Sequence, residues 1–268
     1  MDGFLKTYAH PSVDMQTPVE AAVIIPTILR PCLSDAVRSV FAQAFPGRIH
    51  ILLGIDVPAG DPAILDEICA KRPENCIVQV YYPGYSTSRR HGGLSPAGDG
   101  GVLRTVLTYL ANSPFVAYLD DDNAWHPEHL ARLRTAVEDS DWAYALRWFV
   151  HPETGVPLAI DIWESVGPGR GVFAEKFGGF VDPNCLMINK FRCPKVIPLW
   201  RRPVVADPRA QSADRTVFDT LQKHYRGVCT NAATVYYRLD FKDANHEDRM
   251  GWMGLDSDGI RKKEDVLF

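Results

Sequence analysis

No CxxC or CxxH spacing occurs anywhere in the 268 residues, and the six cysteines (Cys32, Cys69, Cys76, Cys185, Cys193 and Cys229) are scattered. This argues against a zinc site or a redox pair and leaves ordinary reduced thiols. No apolar run approaches the length of a membrane-crossing helix, and residues 1–14, MDGFLKTYAHPSVD, lack the basic-then-apolar order of a signal peptide. A cytoplasmic protein with at most peripheral membrane association is expected. Positive charge is also in short supply. A net charge of -4 gives no blanket attraction to nucleic acid, so an anionic ligand must be met by a local basic group, and a small charged ligand fits better than a polymer. Internal repeats and low-complexity linkers are absent, which favours one domain over residues 1–240.

The chain is 46% hydrophobic and 23% charged, enough for one large core. Residues 21–26 (AAVIIP) and 49–56 (IHILLGID) are short continuous apolar runs of the kind buried on both faces of a sheet. Between them Ser34 or Asp35 can cap a helix whose apolar positions Val37, Val40, Phe41 and Ala44 recur at helical spacing. A second helix is expected over residues 62–70 and a third strand over 76–82. A long loop with six glycines follows over 83–101, carrying Arg89, Arg90 and His91. A third helix is marked by Leu103, Val106, Leu107 and Leu110, a fourth strand by residues 115–120, and a further helix begins at Pro127. Alternating strands and helices predict an α/β fold with a mostly parallel sheet covered on both faces. Beyond residue 140 the rhythm changes. An antiparallel hairpin is expected over 142–151 and 156–160, strands over 185–190 and 234–239, a helix over 214–225, and a charged tail or flap over 241–268.

The strand at 115–120 empties into three consecutive carboxylates, Asp120, Asp121 and Asp122. Adjacent carboxylates repel one another, and burying one is costly unless a cation neutralises it. At the carboxyl end of a strand in an open α/β sheet they lie where ligands usually bind. A solvated turn capping the next helix is the plain alternative. A calcium loop lacks its glycine and distant glutamate here, and a haloacid dehalogenase phosphatase would carry its acidic pair after the first strand, not the fourth.

VIIPTILRPCLSDAVRSVFAQ, the strand ending at Asp56 with Asp61 beyond it, Gly-Val-Leu-Arg before a helix, YLDDDNAWHPEHL, SADRTVFDTL and VYYRLD, in that order, resemble the family 2 glycosyltransferases with a GT-A fold over residues 20–240. The resemblance implies a nucleotide-binding half over about 20–140 and an acceptor-binding half over about 141–240. It implies a metal-dependent, inverting transfer of a sugar from a nucleoside diphosphate sugar, UDP in first place, to a hydroxyl of a saccharide or lipid-linked acceptor. Pro26, Thr27 and Ile28 would wall the base pocket, Asp56 would accept from the base, Arg104 would approach the base or diphosphate, and Asp121 the ribose or the metal's water shell. Asp122 would ligate Mn2+ or Mg2+, with His246 completing that site. Asp214 would be the base, and Asp182 and Asn184 would line the acceptor side, with Trp163 or Trp200 as a stacking platform. The chain departs from the family where Ile55-Asp56 replaces an acidic pair, where Leu103 and Thr105 flank Arg104, and where Ala213 replaces a glutamate.

The chemistry asks for these residue types on its own account. A departing diphosphate needs a cation as the glycosidic bond breaks. Hard oxygen ligands suit Mg2+ or Mn2+, which typically take one or two carboxylates and fill the rest with phosphate and water. Two other readings remain. A nucleotidyltransferase would show a glycine-rich, basic phosphate loop after the first strand, where this chain reads PTILRPCL without glycine. A nucleotide-sugar-binding protein without transfer activity would tolerate the departures around Asp56, Arg104 and Asp214.

Overall fold

The computed structural model describes residues 2–96, 98, 100–202, 213–243 and 245–256. Strand β1 (Phe4–Tyr8), which the sequence reading did not expect, runs antiparallel to β4 (Cys76–Tyr82) along the sheet edge and pairs Phe4 with Tyr82. Strand β2 (Ala21–Thr27) and strand β3 (Ile49–Ile55) are buried at all seven positions each, which is why their sequences are continuously apolar and do not alternate. Helices α1 (Leu33–Phe41) and α2 (Ala63–Ala70) make the crossovers to β3 and to β4 (Cys76–Tyr82). Helix α1 starts with Cys32 at its N-cap and no side-chain cap bond, so Ser34 and Asp35 sit in its first turn and do not cap it.

Helix α3 (Gly101–Leu110) leads into β5 (Phe115–Tyr118), and β6 (Ala124–Trp125) and α4 (His129–Ala136) follow the acidic triplet. The second half contains β7 (Trp142–Val150), β8 (Pro157–Ile160), β9 (Gly167–Pro168), α5 (Ala174–Phe177), β10 (Gly179–Phe180) and β11 (Leu186–Asn189). It ends with α6 (Ala213–His224), β12 (Gly227–Arg238) and α7 (His246–Met253). The expected hairpin is present as the antiparallel pair β7–β8. Helix α7 packs into the fold through Met250, which is buried with Phe149 and Leu239. Residues 257–268 of the expected tail, and Ser212 just before α6, lie outside the described residues.

The main sheet runs β1-β4-β3-β2-β5-β11-β7-β12-β6. Its β4-β3-β2-β5 block is parallel, β11 is antiparallel to both neighbours, and β12 returns parallel to β7. Because β3 leaves β2 on one side and β5 lies on the other, the strand order reverses at β2–β5. In an open α/β sheet the crevice at the carboxyl ends of such a pair is the usual ligand site. The ladder continues past the strand ends: the Asp56 N–H donates to the Thr27 carbonyl (3.0 Å) and the Leu119 N–H to the Ile24 carbonyl (3.0 Å). Thr27, Asp56 and the start of the acidic triplet therefore share one rim.

Two backbone features shape that rim. Gly100 caps α3 with φ +74°, and a Cβ there would sit 2.6 Å from the Pro26 Cβ, so only glycine lets the helix start this close to β2. Leu29 holds φ +64° in the turn after β2, an unfavourable region for a branched residue, and its N–H donates to the Thr27 hydroxyl at 2.8 Å. Trp200 is buried, tilted against Tyr118 at 4.6 Å between ring centroids. It offers no face to a sugar ring, and the platform expected of it is withdrawn: the indole does more as core under α3. Among the described residues no helix is long and apolar enough to cross a membrane.

Candidate active site

A cleft of about 300 Å³ opens at this rim. Pro26, Thr27, Ile28, Asp56, Arg104, Asp121 and Asp122 all line it, joined by Asp120, Arg30, Arg90 and His91. The fold thus gathers residues spread from 26 to 122 along the chain, placed by strand ends, by the first turns of α3 and, for Arg90 and His91, by the glycine-rich loop.

Within the triplet, each carboxylate has a different neighbourhood. Asp120 is clamped by an Arg104 guanidinium N–H and by the Asn184 side-chain amide, which donates to Asp120 Oδ2 at 2.9 Å. The Asp120 backbone N–H in turn donates to Asn184 Oδ1 at 2.6 Å. Asp121 is buried and accepts from the Thr27 hydroxyl at 2.6 Å and from Arg30. Asp122 is 37% exposed and pairs with Arg30 Nη1 at 3.0 Å. Enclosure by the cleft walls, and then the Asp120 carboxylate, push the Asp122 carboxyl up to about 6 in spite of Arg30. The cleft thus keeps unbalanced negative charge at Asp122.

That imbalance bears on a divalent cation. Among the described residues no three His, Cys, Asp or Glu side chains are gathered around one point. Mg2+ and Mn2+ in nucleotide sites nevertheless need only one or two carboxylates beside phosphate oxygens and water. Asp122 Oδ1 is a carboxylate oxygen without a hydrogen-bond or ion-pair partner among the described residues, and Asp122 lines the cleft. The donor set fits a cation held chiefly by Asp122 and a bound diphosphate.

Asp56 is engaged in a way the sequence did not foretell. The Thr87 N–H (2.8 Å) and hydroxyl (2.7 Å) both donate to Oδ1, and the Ser86 hydroxyl donates to Oδ2 at 2.8 Å. The carboxylate ties down the start of the glycine-rich loop that brings Arg90 and His91 to the cleft. A carboxylate offers about four acceptor positions, so one remains open.

The remaining expected residues lie elsewhere. Asp182 and Asp214 line a second cavity of about 200 Å³ with Arg147, Glu164, Tyr237 and Arg249. Asp214 stands in the first turn of α6, where its carboxylate accepts from the Arg215 N–H at 2.7 Å. Asn184 is buried between the cavities and bonds both sides, donating to Asp120 and, at 2.7 Å, to Asp182 Oδ1. His246 is buried at the start of α7 with its ring edge-on to Phe241 at 5.1 Å, and it lines neither cavity. The structure therefore does not bring it to Asp122. Trp163 stacks on Trp252, 6.0 Å between centroids.

Sequence reasoning missed the network under the second cavity. Arg147 is 1% exposed and donates to Asp161, Glu164 and Asp182, each at 2.7 Å. Arg249 reaches Glu164 at 3.0 Å and Asp243 at 2.7 Å. Burial works against the Asp161 carboxylate, but Arg147 and the N–H groups of Glu164, Ser165 and Trp163 outweigh it and hold its pKa below the usual range. One signal was present: an arginine inside the apolar run WAYALRWFV has to be paired if that strand is buried. Arg30 was missed as well, and nothing local marks it.

No protein-family model matches this sequence, and no curated protein does. Solved structures do match. S. aureus TarS residues 1–349 superimposes with a TM-score of 0.56 at 15% identity, over 81% of this chain and 60% of that one. TarS 1–349 in complex with UDP-GlcNAc gives 0.55 at 16%, over 82% and 58%. The mannosyltransferase PcManGT from Pyrobaculum calidifontis, in complex with GDP-Man and Mn2+, gives 0.55 at 12%, over 87% and 60%. The chain spans about three fifths of the length of these solved chains. The likeness shows the fold: a mixed α/β GT-A glycosyltransferase fold with a mostly parallel central block and a smaller, partly antiparallel second part.

Proposed function

We propose that this protein is a metal-dependent, inverting glycosyltransferase that moves a sugar from a nucleoside diphosphate sugar, UDP in first place, to a hydroxyl of a saccharide or lipid-linked acceptor. One observation carries the reading. The cleft at the β2–β5 reversal and the cavity holding Asp214 are joined through Asp120, Asn184 and Asp182, a donor-side carboxylate linked to an acceptor-side one by a single buried amide. The structures of similar fold include ones bound to UDP-GlcNAc and to GDP-Man with Mn2+.

On this reading the base lies against Pro26, Thr27 and Ile28, with the open acceptor position of Asp56 facing its imide N–H. Asp121, fixed by Thr27, addresses the ribose. Arg104 is fixed by Asp120 and directs charge toward the diphosphate. Mn2+ or Mg2+ at Asp122 would supply Lewis-acid stabilisation of the departing diphosphate. Asp214 takes the proton of the acceptor hydroxyl as its oxygen attacks the anomeric carbon from the face opposite the diphosphate. Asp182 and Asn184 orient the acceptor. The division into a nucleotide-binding half to about residue 140 and an acceptor-binding half beyond it belongs to the same proposal, as does cytoplasmic action. His246 is given no role.

The test is thermal stabilisation by nucleotide sugars with Mn2+, followed by turnover. Ligand linkage raises stability as RT ln(1 + [L]/Kd), about 2.7 kcal/mol at a hundredfold excess over Kd. Asp214→Asn is expected to keep donor binding and lose transfer by at least about a hundredfold, the usual worth of a general base. No stabilisation by any nucleoside diphosphate sugar refutes the assignment; undiminished transfer in Asp214→Asn refutes the base.

A further inference from the structure

Five of the six carboxylate oxygens of the triplet are already engaged by this chain's own side chains. Arg104 and Asn184 hold the two of Asp120, Thr27 and Arg30 the two of Asp121, and Arg30 one of Asp122. The Arg30 guanidinium uses all three nitrogens on this pair: Nε (3.0 Å) and Nη2 on Asp121 Oδ1, and Nη1 on Asp122 Oδ2 (3.0 Å). A cation bridging Asp121 and Asp122 would need the place this guanidinium fills.

The two arginines of the cleft differ in how firmly they are held. The Arg104 side chain is 6% exposed, rises from α3 and lies 5.5 Å from the Trp200 ring, so its position is set by the core. Arg30 is 44% exposed, sits on the turn after β2, and lines the cleft. Its long stem is free to carry the head group elsewhere without unpacking anything. It cannot simply be absent, because Asp121 is 4% exposed and a carboxylate that deep needs a neutralising partner whenever no ligand is bound.

We propose that Arg30 is a diphosphate-binding residue that waits on the acidic pair. It pairs with Asp121 and Asp122 in the empty protein, and yields that place when cation and donor arrive together. Beside a divalent cation the guanidinium meets like charge, and the nearest uncompensated anion is the donor's diphosphate, whose oxygens match its planar fork. The charges of the cation and the diphosphate offset each other, so the exchange adds no net charge to the cleft. This inference rests on the nucleotide-sugar reading above.

The experiment titrates Mn2+ alone, then UDP at saturating Mn2+, into wild type, Arg30→Met and Arg30→Lys, by calorimetry. Met keeps the apolar stem and removes the charge. Lys keeps the charge without the fork, and is the folded control if Met loosens the turn. Expected for Arg30→Met is tighter Mn2+ binding in the absence of nucleotide together with weaker UDP binding, each by about tenfold or more, the worth of one charge-assisted bond. Arg30→Lys falls between on both. Wild type that binds UDP, with Mn2+ affinity unchanged or reduced in Arg30→Met or with UDP affinity unaffected, overturns the partner exchange and leaves the glycosyltransferase reading standing. Wild type that binds no nucleoside diphosphate overturns both.

Discussion

Arg147→Met tests whether the second cavity is built on a single buried cation. The substitution keeps an unbranched apolar stem and removes the charge from beneath Asp161, Glu164 and Asp182, each 2.7 Å from the guanidinium. The carboxylates do not become wholly partnerless. Asp161 keeps the N–H groups of Trp163 (2.9 Å), Glu164 (2.7 Å) and Ser165 (2.9 Å), Glu164 keeps Arg249, and Asp182 keeps Asn184. The cost is therefore that of breaking one buried ionic cluster, about 3–5 kcal/mol, and not three times that. For a chain of this size it lowers the melting temperature by roughly 10 °C. The pH dependence identifies the cause. Asp161 has a folded pKa below its usual 3.8, so its contribution is present above that value and is lost as pH falls through the folded pKa. The deficit of the variant is thus full at neutral pH and narrows as pH falls below about 4. Urea unfolding of both proteins across that range measures it. A cost below about 1 kcal/mol, or a deficit equally large at pH about 3.5 and about 7, refutes the argument.

Two further outcomes are expected. His50 accepts the Asn112 N–H on Nδ1 (3.1 Å) and faces Gln79 Oε1 from Nε2 (2.9 Å), which fixes a neutral ring; burial, aided by Lys190, lowers its pKa to about 4. The unfolded chain takes up that proton near 6.5, so stability on the order of 3 kcal/mol is lost as pH falls from about 6.5 toward about 4. His50→Leu should show a shallower acid loss across that window, and coincident slopes would count against it. Ser86→Ala with Thr87→Val removes two of the three bonds to Asp56 and frees the loop that carries Arg90 and His91. Weaker UDP binding by about tenfold supports a tethering role for Asp56; tighter binding would mean that the loop competes with the base.

What the sequence disclosed was set by range. Strand β2, strand β3 and the acidic triplet were legible because a doubly covered strand must be continuously apolar and its polar successor must fall at its end. Their convergence with Arg104 in one cleft follows from topology alone. Strand β1 was not legible: FLKTY is a sheet-edge segment whose three central residues face solvent, so no burial pattern sets it apart. Helix α7 was hidden in a similar way, since HEDRMGWM reads as charged while its Arg249 is neutralised by Glu164 and Asp243 from other segments. Interactions such as Arg30 with Asp121, or Asn184 with Asp120, join residues far apart in the chain, and no local rule fixes which carboxylate an arginine will reach.

The same distinction explains why the two cavities differ in kind. In the cavity holding Asp214 the charged groups bond one another: Arg147 is enclosed, its carboxylates Asp161, Glu164 and Asp182 are buried, and Tyr237 covers its guanidinium at 4.0 Å. A cavity framed by satisfied charges can position a neutral polyhydroxyl compound through the lone pairs left over, with little reorganisation. In the cleft at the β2–β5 reversal the acidic triplet depends on a half-exposed arginine, and Asp122 is left with its carboxyl raised toward neutral pH. Such a site is incomplete alone. It favours a cation and a polyanion taken up together, because the polyanion bound alone adds to the triplet's negative charge, whereas the cation bound alone lies against the Arg30 guanidinium.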